Sequence, residues 1–167
     1  MAVPYDNDNV FAKILDGVIP SFKIFETEHV LAILDAFPLV PGHALLIPKA
    51  RGFATVDGSK RSCPPTYPED TILTPLSQLC LPTKRRICSV SCRVSHALSK
   101  RSVHATGADG INIIQNNGPA SGQAVFHVHV HVIPRFENDG LLKVPAGQAM
   151  ITKDDGAAML AKIQGKL

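Results

Sequence analysis

The sequence predicts one mixed domain of strands and helices, on three observations. Its 167 residues are 45% hydrophobic and only 19% charged, enough apolar material for one sizeable core. Strand-like alternation or short apolar runs occur at 21–26, 30–34, 44–47, 111–115 and 127–133, most of them bounded by turn-forming residues. Helical spacing occurs in three other places: near the N-terminus, from Thr83 to about Gly107, and at the end of the chain.

The elements follow in order. Asn7 or Asp8 is positioned to cap a short helix whose Val10, Phe11, Ile14 and Leu15 share a face, with Gly17 as its stop. Residues 21–26 and 30–34 form two strands joined at Thr27-Glu28-His29, a hairpin. Asp35 closes the second strand before the turn Pro38-Leu39-Val40-Pro41-Gly42, and Ala44 to Ile47 is the next strand. At a strand end an Asp is a turn-former or an acceptor for sugar hydroxyls, and spacing does not choose. Prolines dispersed through 51–83 leave no room for a helix of more than about two turns, so that segment reads as loop. Ile87, Val90, Val94, Ala97 and Leu98 then line one face of a long helix. Ile111 to Gln115 is a strand, Asn116-Asn117-Gly118 turns the chain, and a last helix capped by Thr152 or Asp154 carries Leu160, Ile163 and Leu167 as its apolar stripe.

The most informative stretch is His127-Val128-His129-Val130-His131-Val132-Ile133, after the Gly122-Gln123 turn and before Pro134-Arg135, which is expected to end it. Alternation puts the three imidazoles on one strand face and the valines on the other. Three such rings would be a costly solvent face without a task. Imidazole has the side-chain pKa nearest neutrality, so the row points to proton transfer, nucleophilic attack or metal ligation.

Charge and cysteines narrow the options. Residues 51–103 hold nine of the 17 Lys and Arg but three of the 14 Asp and Glu, so the histidine-bearing part of the chain is net negative and is not a nucleic-acid surface. Cys63, Cys80, Cys88 and Cys92 form no Cys-x-x-Cys pair, which gives no zinc ribbon and no redox motif. A reducing, cytoplasmic setting is expected, with the nucleus also open, and no apolar run reaches the ~18 residues of a membrane span.

Taken together these blocks resemble the histidine triad (HIT) superfamily of nucleotidyl hydrolases and transferases. The His-φ-His-φ-His-φ-φ pattern, with φ apolar, is complete at 127–133. Phe11-Ala12-Lys13-Ile14, Leu34-Asp35-Ala36-Phe37-Pro38, the stretch from Pro41-Gly42-His43 to Pro48-Lys49, and Gln115-Asn116-Asn117-Gly118 are similar to the family's other blocks, in the family's order. The similarity covers 8–50 and 105–138 and is greatest to the Hint-type purine nucleoside phosphoramidases. It implies an α+β, HIT-like fold over 1–167: a five-stranded antiparallel sheet, a long helix and a C-terminal helix, with an atypical segment at about 51–83. It also implies a homodimer that takes AMP or a related purine nucleotide, no cofactor and no membrane.

The residue roles implied by the resemblance are these. His129 attacks the α-phosphorus and forms a covalent nucleotidyl-histidine, His127 orients it, and His131 contacts the phosphate. Asn116 and Gln123, with Gly122 and Ala124 beside them in the turns around the histidines, match positions at the phosphate and leaving group. Asp35 falls on the ribose hydroxyls, with Ile33 and Ala36 beside the base. His43 is read as structural. His29, His96 and His104 are read as surface residues.

Departures from the family are visible too. Asn9 and Ala12 stand where some members carry a Cys-x-x-Cys zinc site, so no structural zinc is expected. Arg51 replaces a common His, and Ala124 a common Ser or Thr, which leaves only its backbone N–H as a donor. Residues 51–103 are longer than the family's usual connection, as a lineage-specific insert or a shifted reading frame would make them. Alternatives within the superfamily are hydrolysis of dinucleoside polyphosphates or of nucleic-acid adenylates. Alternatives of another class are a His-ligated metal protein and a non-catalytic nucleotide-binding scaffold. A cupin-like metal site would want a Glu soon after His-x-His, and Glu137 lies beyond the intervening Pro134.

Overall fold

A computed structural model of the chain describes residues 5–52, 54–55, 82–141 and 149–165, and for 82–93 the backbone alone. Two compact units are present, Met1–Glu137 and Asn138–Leu167. The first holds α1 (Val10–Leu15), β1 (Lys23–Glu26), β2 (Val30–Leu34), β3 (Ala44–Pro48), α2 (Pro82–Thr106), β4 (Gly110–Ile114), a 3-10 turn (Pro119–Ser121) and β5 (Val130–Arg135). In the second, α3 (Lys153–Gln164) starts at Thr152, whose hydroxyl accepts the Asp155 N–H at 3.1 Å. Leu160 and Ile163 of α3 are more than half exposed, and Leu167 lies outside the described residues. No helix among the described residues is long and apolar enough to cross a membrane.

The five strands form one antiparallel sheet in the order β1-β2-β3-β5-β4. Because strand side chains alternate, the sheet makes two cores. Val30, Ala32, Ala44, Leu46, Val130 and Val132 point to the face covered by Leu98 of α2, with Val94 packed beside it. Leu31, Ile33, Leu45 and Ile47 point to the other, against Phe11, Ile14 and Leu15 of α1. Leu45 pairs with His131 across the β3–β5 ladder, so His131 belongs to this second face.

Several expectations shift in detail. Asn9, rather than Asn7 or Asp8, caps α1, its side-chain oxygen accepting the Ala12 N–H at 3.0 Å. On that helix Ala12 is buried and Val10 turned outward, the reverse of the apolar-residue reading. On α2 the buried positions include Ser95 and Ser102 as well as Leu98, whereas Ala97 is exposed. The side chains of Ile87 and Val90, and the loop reading of 51–83 apart from a few residues at its ends, lie outside what the structure describes. Pro134 does not stop β5. It lies past Val132, the last residue of β5 paired with β3, where one side of the strand has no ladder to break. The turn before β3 depends on Gly42, at φ +85: a Cβ there would come within 2.6 Å of Thr106 Cγ2 at the end of α2.

Candidate active site

The three histidines do not share one hydrogen-bonded strand. β4 ends at Ile114, opposite His131, and β5 begins at Val130, so His127, at the end of a bend, and His129 lie in the unpaired stretch that leads into it. Alternation survives without the ladder because side-chain bonds replace it. The His127 ring, fully buried, donates its Nε2–H to the Pro48 carbonyl at the end of β3 (2.8 Å), and its Nδ1 accepts the Tyr5 hydroxyl at 2.7 Å.

Hydrogen bonding then fixes each ring's tautomer. His129 Nδ1 lies 2.7 Å from the main-chain carbonyl of His127, which only accepts, so Nδ1 carries the proton and Nε2 keeps its lone pair. The group that orients His129 is thus the backbone of His127 and not its ring. His43 Nδ1 accepts the Leu39 N–H at 3.2 Å, which puts the His43 proton on Nε2. That Nε2–H donates to His131 Nδ1 at 3.0 Å, leaving His131 with its proton on Nε2 as a donor for an anion. The His129 and His131 rings stand 5.0 Å apart between centroids, and Phe11 puts its ring 4.8 Å from that of His129. An unprotonated ring nitrogen and an N–H donor thus sit on neighbouring rings, an arrangement chemically able to serve displacement at a phosphate.

Burial keeps these rings neutral. It pushes His127 and His129 below the ordinary imidazole pKa, with the carbonyls of Pro48 and His127 respectively pulling the other way. His131 falls to about 4, through burial first and then repulsion from His129 and His43, opposed by Asp35. His43 is also lowered by burial, against the pull of Asp35. A stability consequence follows. Above the unfolded value of 6.5 both states hold these imidazoles neutral, and below it the unfolded chain binds protons that the folded chain refuses. Thermal unfolding should therefore be flat from about pH 8 to pH 7 and its midpoint should fall between pH 6.5 and 4.5, above the usual carboxylate range. An unchanged midpoint across that window would contradict the buried neutral rings.

The other expected residues are placed as follows. Asp35, at the end of β2, accepts the Phe37 N–H on Oδ1 (2.9 Å) and sets Oδ2 3.5 Å from His43 Nε2 and 3.9 Å from His131 Nδ1. Ile33 is buried in the same-face core and Ala36 is exposed. Asn116 reaches toward Gly122, its amide nitrogen 4.0 Å from where a Cβ on that glycine would sit, and Ala124 is exposed. Gln123 is buried, its Oε1 accepting the Gly118 N–H (2.7 Å) and its amide hydrogens going to the carbonyls of Ala54 (2.6 Å) and Val125 (3.0 Å). With both donors committed, Gln123 organises the loop and offers no donor to a ligand in this arrangement. His29 is half-buried and lies 3.8 Å from Glu28; His96 and His104 are exposed.

Sequence reasoning missed His43, Tyr5 and Phe11. His43, read as structural, is the ring that orients His131. Its signal was register: His43 is two residues before Leu45, the partner of His131, and so shares its face. No comparable pattern pointed to Tyr5, which comes from 122 residues away to reach His127.

The HIT domain family matches residues 16–138 of this chain. Among characterised relatives, the adenylylsulfatase HINT3 of Arabidopsis thaliana is 40% identical over 135 residues, which is 81% of this chain and 56% of that protein. The adenosine 5′-monophosphoramidase HNT1 of Saccharomyces cerevisiae is 34% identical over 134 residues, 80% of this chain and 66% of the relative. The chain thus spans little more than half of the first relative's length. A HIT family protein of Bacillus subtilis has a similar crystal structure, with a TM-score of 0.72 at 28% identity, covering 96% of this chain and 97% of that one.

Proposed function

The chain belongs to the HIT domain family, and from that footing we propose that it hydrolyses purine nucleoside 5′-phosphoramidates, breaking the P–N bond through a nucleotide held covalently on His129. One observation carries the reading: the His129 Nδ1–H bond to the His127 carbonyl leaves an unprotonated Nε2 as attacking atom in a buried ring whose pKa is lowered. His131 donates its Nε2–H to a phosphate oxygen, oriented by His43. Asp35 accepts from the ribose hydroxyls, with Ile33 and Ala36 toward the base. Asn116 and the backbone N–H of Ala124 face the phosphate and leaving group, while Gly122, whose N–H goes to the Pro119 carbonyl, and Gln123 hold that loop in shape. In the first step the P–N bond breaks as the N–P bond to His129 forms, and the amine leaves with a proton taken from solvent; water then attacks phosphorus, breaks the bond to His129 and gives up a proton, returning AMP and free His129.

A second leaving group has a specific observation behind it, the 40% identity to a relative named an adenylylsulfatase. Sulfate would leave in the first step, as the same adenylyl-His129 forms. Incubating the purified protein with adenosine 5′-phosphoramidate, its guanosine counterpart, adenylyl sulfate and diadenosine polyphosphates, and measuring nucleoside monophosphate release, decides among them. Hydrolysis of the phosphoramidates without added metal, insensitive to chelator, is the expected result. Faster turnover of adenylyl sulfate selects the second leaving group, and no release from any of the four contradicts the proposal.

The same reading includes a homodimer, since strands β1 and β4 leave the sheet with two edges. Sedimentation at micromolar concentration should give twice the chain mass of 17.9 kDa. A single species at that mass would remove the dimer.

A further inference from the structure

We propose that Tyr5 is a positioning residue for His129: its hydroxyl, donated to His127 Nδ1, fixes the His127 ring and, through it, the carbonyl that holds the attacking imidazole. The catalytic part of this assignment rests on the hydrolase reading. The contacts form a continuous chain. His127 Nε2–H goes to the Pro48 carbonyl at 2.8 Å, so Nδ1 carries a lone pair, and the Tyr5 O–H supplies the hydrogen for it at 2.7 Å. Both ring nitrogens are then committed, in a ring with no exposed surface. The main-chain carbonyl of the same residue accepts from His129 Nδ1 at 2.7 Å. Because β5 begins only at Val130, the two anchors on the ring do for His127 what a ladder does for the residues after it. Without the Tyr5 anchor one hydrogen bond is left on the ring, and ring and carbonyl can turn about it.

The same bond governs charge. A proton can join His127 only at Nδ1, where the Tyr5 hydrogen already sits, so donation from Tyr5 stabilises the neutral ring. Neutrality matters in the covalent step. When His129 Nε2 bonds to phosphorus and the amine departs, Nδ1 keeps its hydrogen, so the ring becomes an imidazolium and its bond to the His127 carbonyl strengthens. A second positive ring at His127 would oppose that charge. Burial already pushes His127 below the ordinary imidazole pKa, the Pro48 carbonyl pulls the other way, and His129 and Arg51 push it further down. Among the described residues the charged and titratable groups facing His127 are Tyr5, His129 and Arg51, the last beyond β3 and paired with Asp16 at the end of α1. Phe11 of α1 adds only a ring edge, 6.2 Å away between centroids. Tyr5 is therefore the group that acts on Nδ1 directly.

Tyr5→Phe tests the assignment, since it keeps the ring that lies 5.6 Å from that of His127 between centroids and removes only the hydroxyl. In the full-length protein at neutral pH, well below its unfolding temperature, kcat for adenosine 5′-phosphoramidate should fall about tenfold with KM within roughly twofold. An attacking nitrogen out of line costs the transition state and not the bound substrate. Nitrogen NMR of the imidazole rings should show the His127 protonation midpoint raised by roughly one pH unit, the worth of one hydrogen bond to the neutral form. A ring-fluorinated tyrosine at position 5 is a more acidic and so stronger donor, and should move that midpoint the opposite way; it remains informative if Tyr5→Phe fails to fold. Unchanged kcat in Tyr5→Phe, a loss confined to KM, or an unmoved His127 midpoint overturns the assignment and leaves the hydrolase reading standing. A wild-type protein that hydrolyses no nucleotide, with the midpoint shifted in Tyr5→Phe, upholds the hold of Tyr5 on His127 and removes only the hydrolase reading.

Discussion

Replacing His129 with Asn should lower turnover of adenosine 5′-phosphoramidate by roughly 10³-fold or more while AMP still binds, because an attacking nucleophile contributes to the transition state and hardly at all to ground-state affinity. The substitution is chosen for shape. An Asn amide can donate to the His127 carbonyl as His129 Nδ1 does, so the buried acceptor stays paired and the Phe11 contact is only reduced. What disappears is the lone pair at Nε2. Asp35→Ala is the contrasting variant: it removes a charged acceptor that the reading puts on the ribose, and should weaken AMP binding about tenfold to a hundredfold, the equivalent of roughly 1.5–3 kcal/mol for hydrogen bonds to a charged group. Its turnover should fall in step with binding, because ground state and transition state lose the same contact. Loss of AMP binding in His129→Asn, or intact turnover in it, would mean that the roles are misassigned.

How much of this was legible in the sequence depended on the range of the interaction. The sequence predicts β2 at its observed bounds and β3, β4 and α2 within a residue or so, because alternation and helical spacing are local properties that the packed sheet merely uses. The histidine strand was legible as a face but not as a ladder. Its first half is held by the His127 ring on Pro48, a contact between residues 79 positions apart that no period records. Ser95 and Ser102 entered the buried side of α2, and Ala97 left it, because the packed face of a long helix is set by what lies across from it and not by hydropathy alone. The division of labour at the site was partly legible. Resemblance singles out His127, His129 and His131, but that a carbonyl orients one and a fourth imidazole, His43, orients another is visible only in the fold. Gln123 illustrates the opposite limit: its type suits a phosphate donor, yet its donors are used at home.

The central claim is that His129 carries the nucleotide, and trapping that species is its most direct test. A neutral imidazole attacking phosphorus must leave an N–P bond to the protein, whereas water activated by any other group goes to product without one. The bond resists base but not acid, so a rapid acid-free quench during steady-state turnover of an adenosine 5′-phosphoramidate preserves it. Mass spectrometry should then find adenylate on the peptide holding residues 127–131, placed by fragmentation on His129, and nothing there in His129→Asn. The adduct should diminish as pH falls well below the usual imidazole range, since burial delays protonation of His129 to lower pH. Steady hydrolysis with no nucleotide on His129, under a quench that preserves a synthetic phosphohistidine standard, would contradict the account.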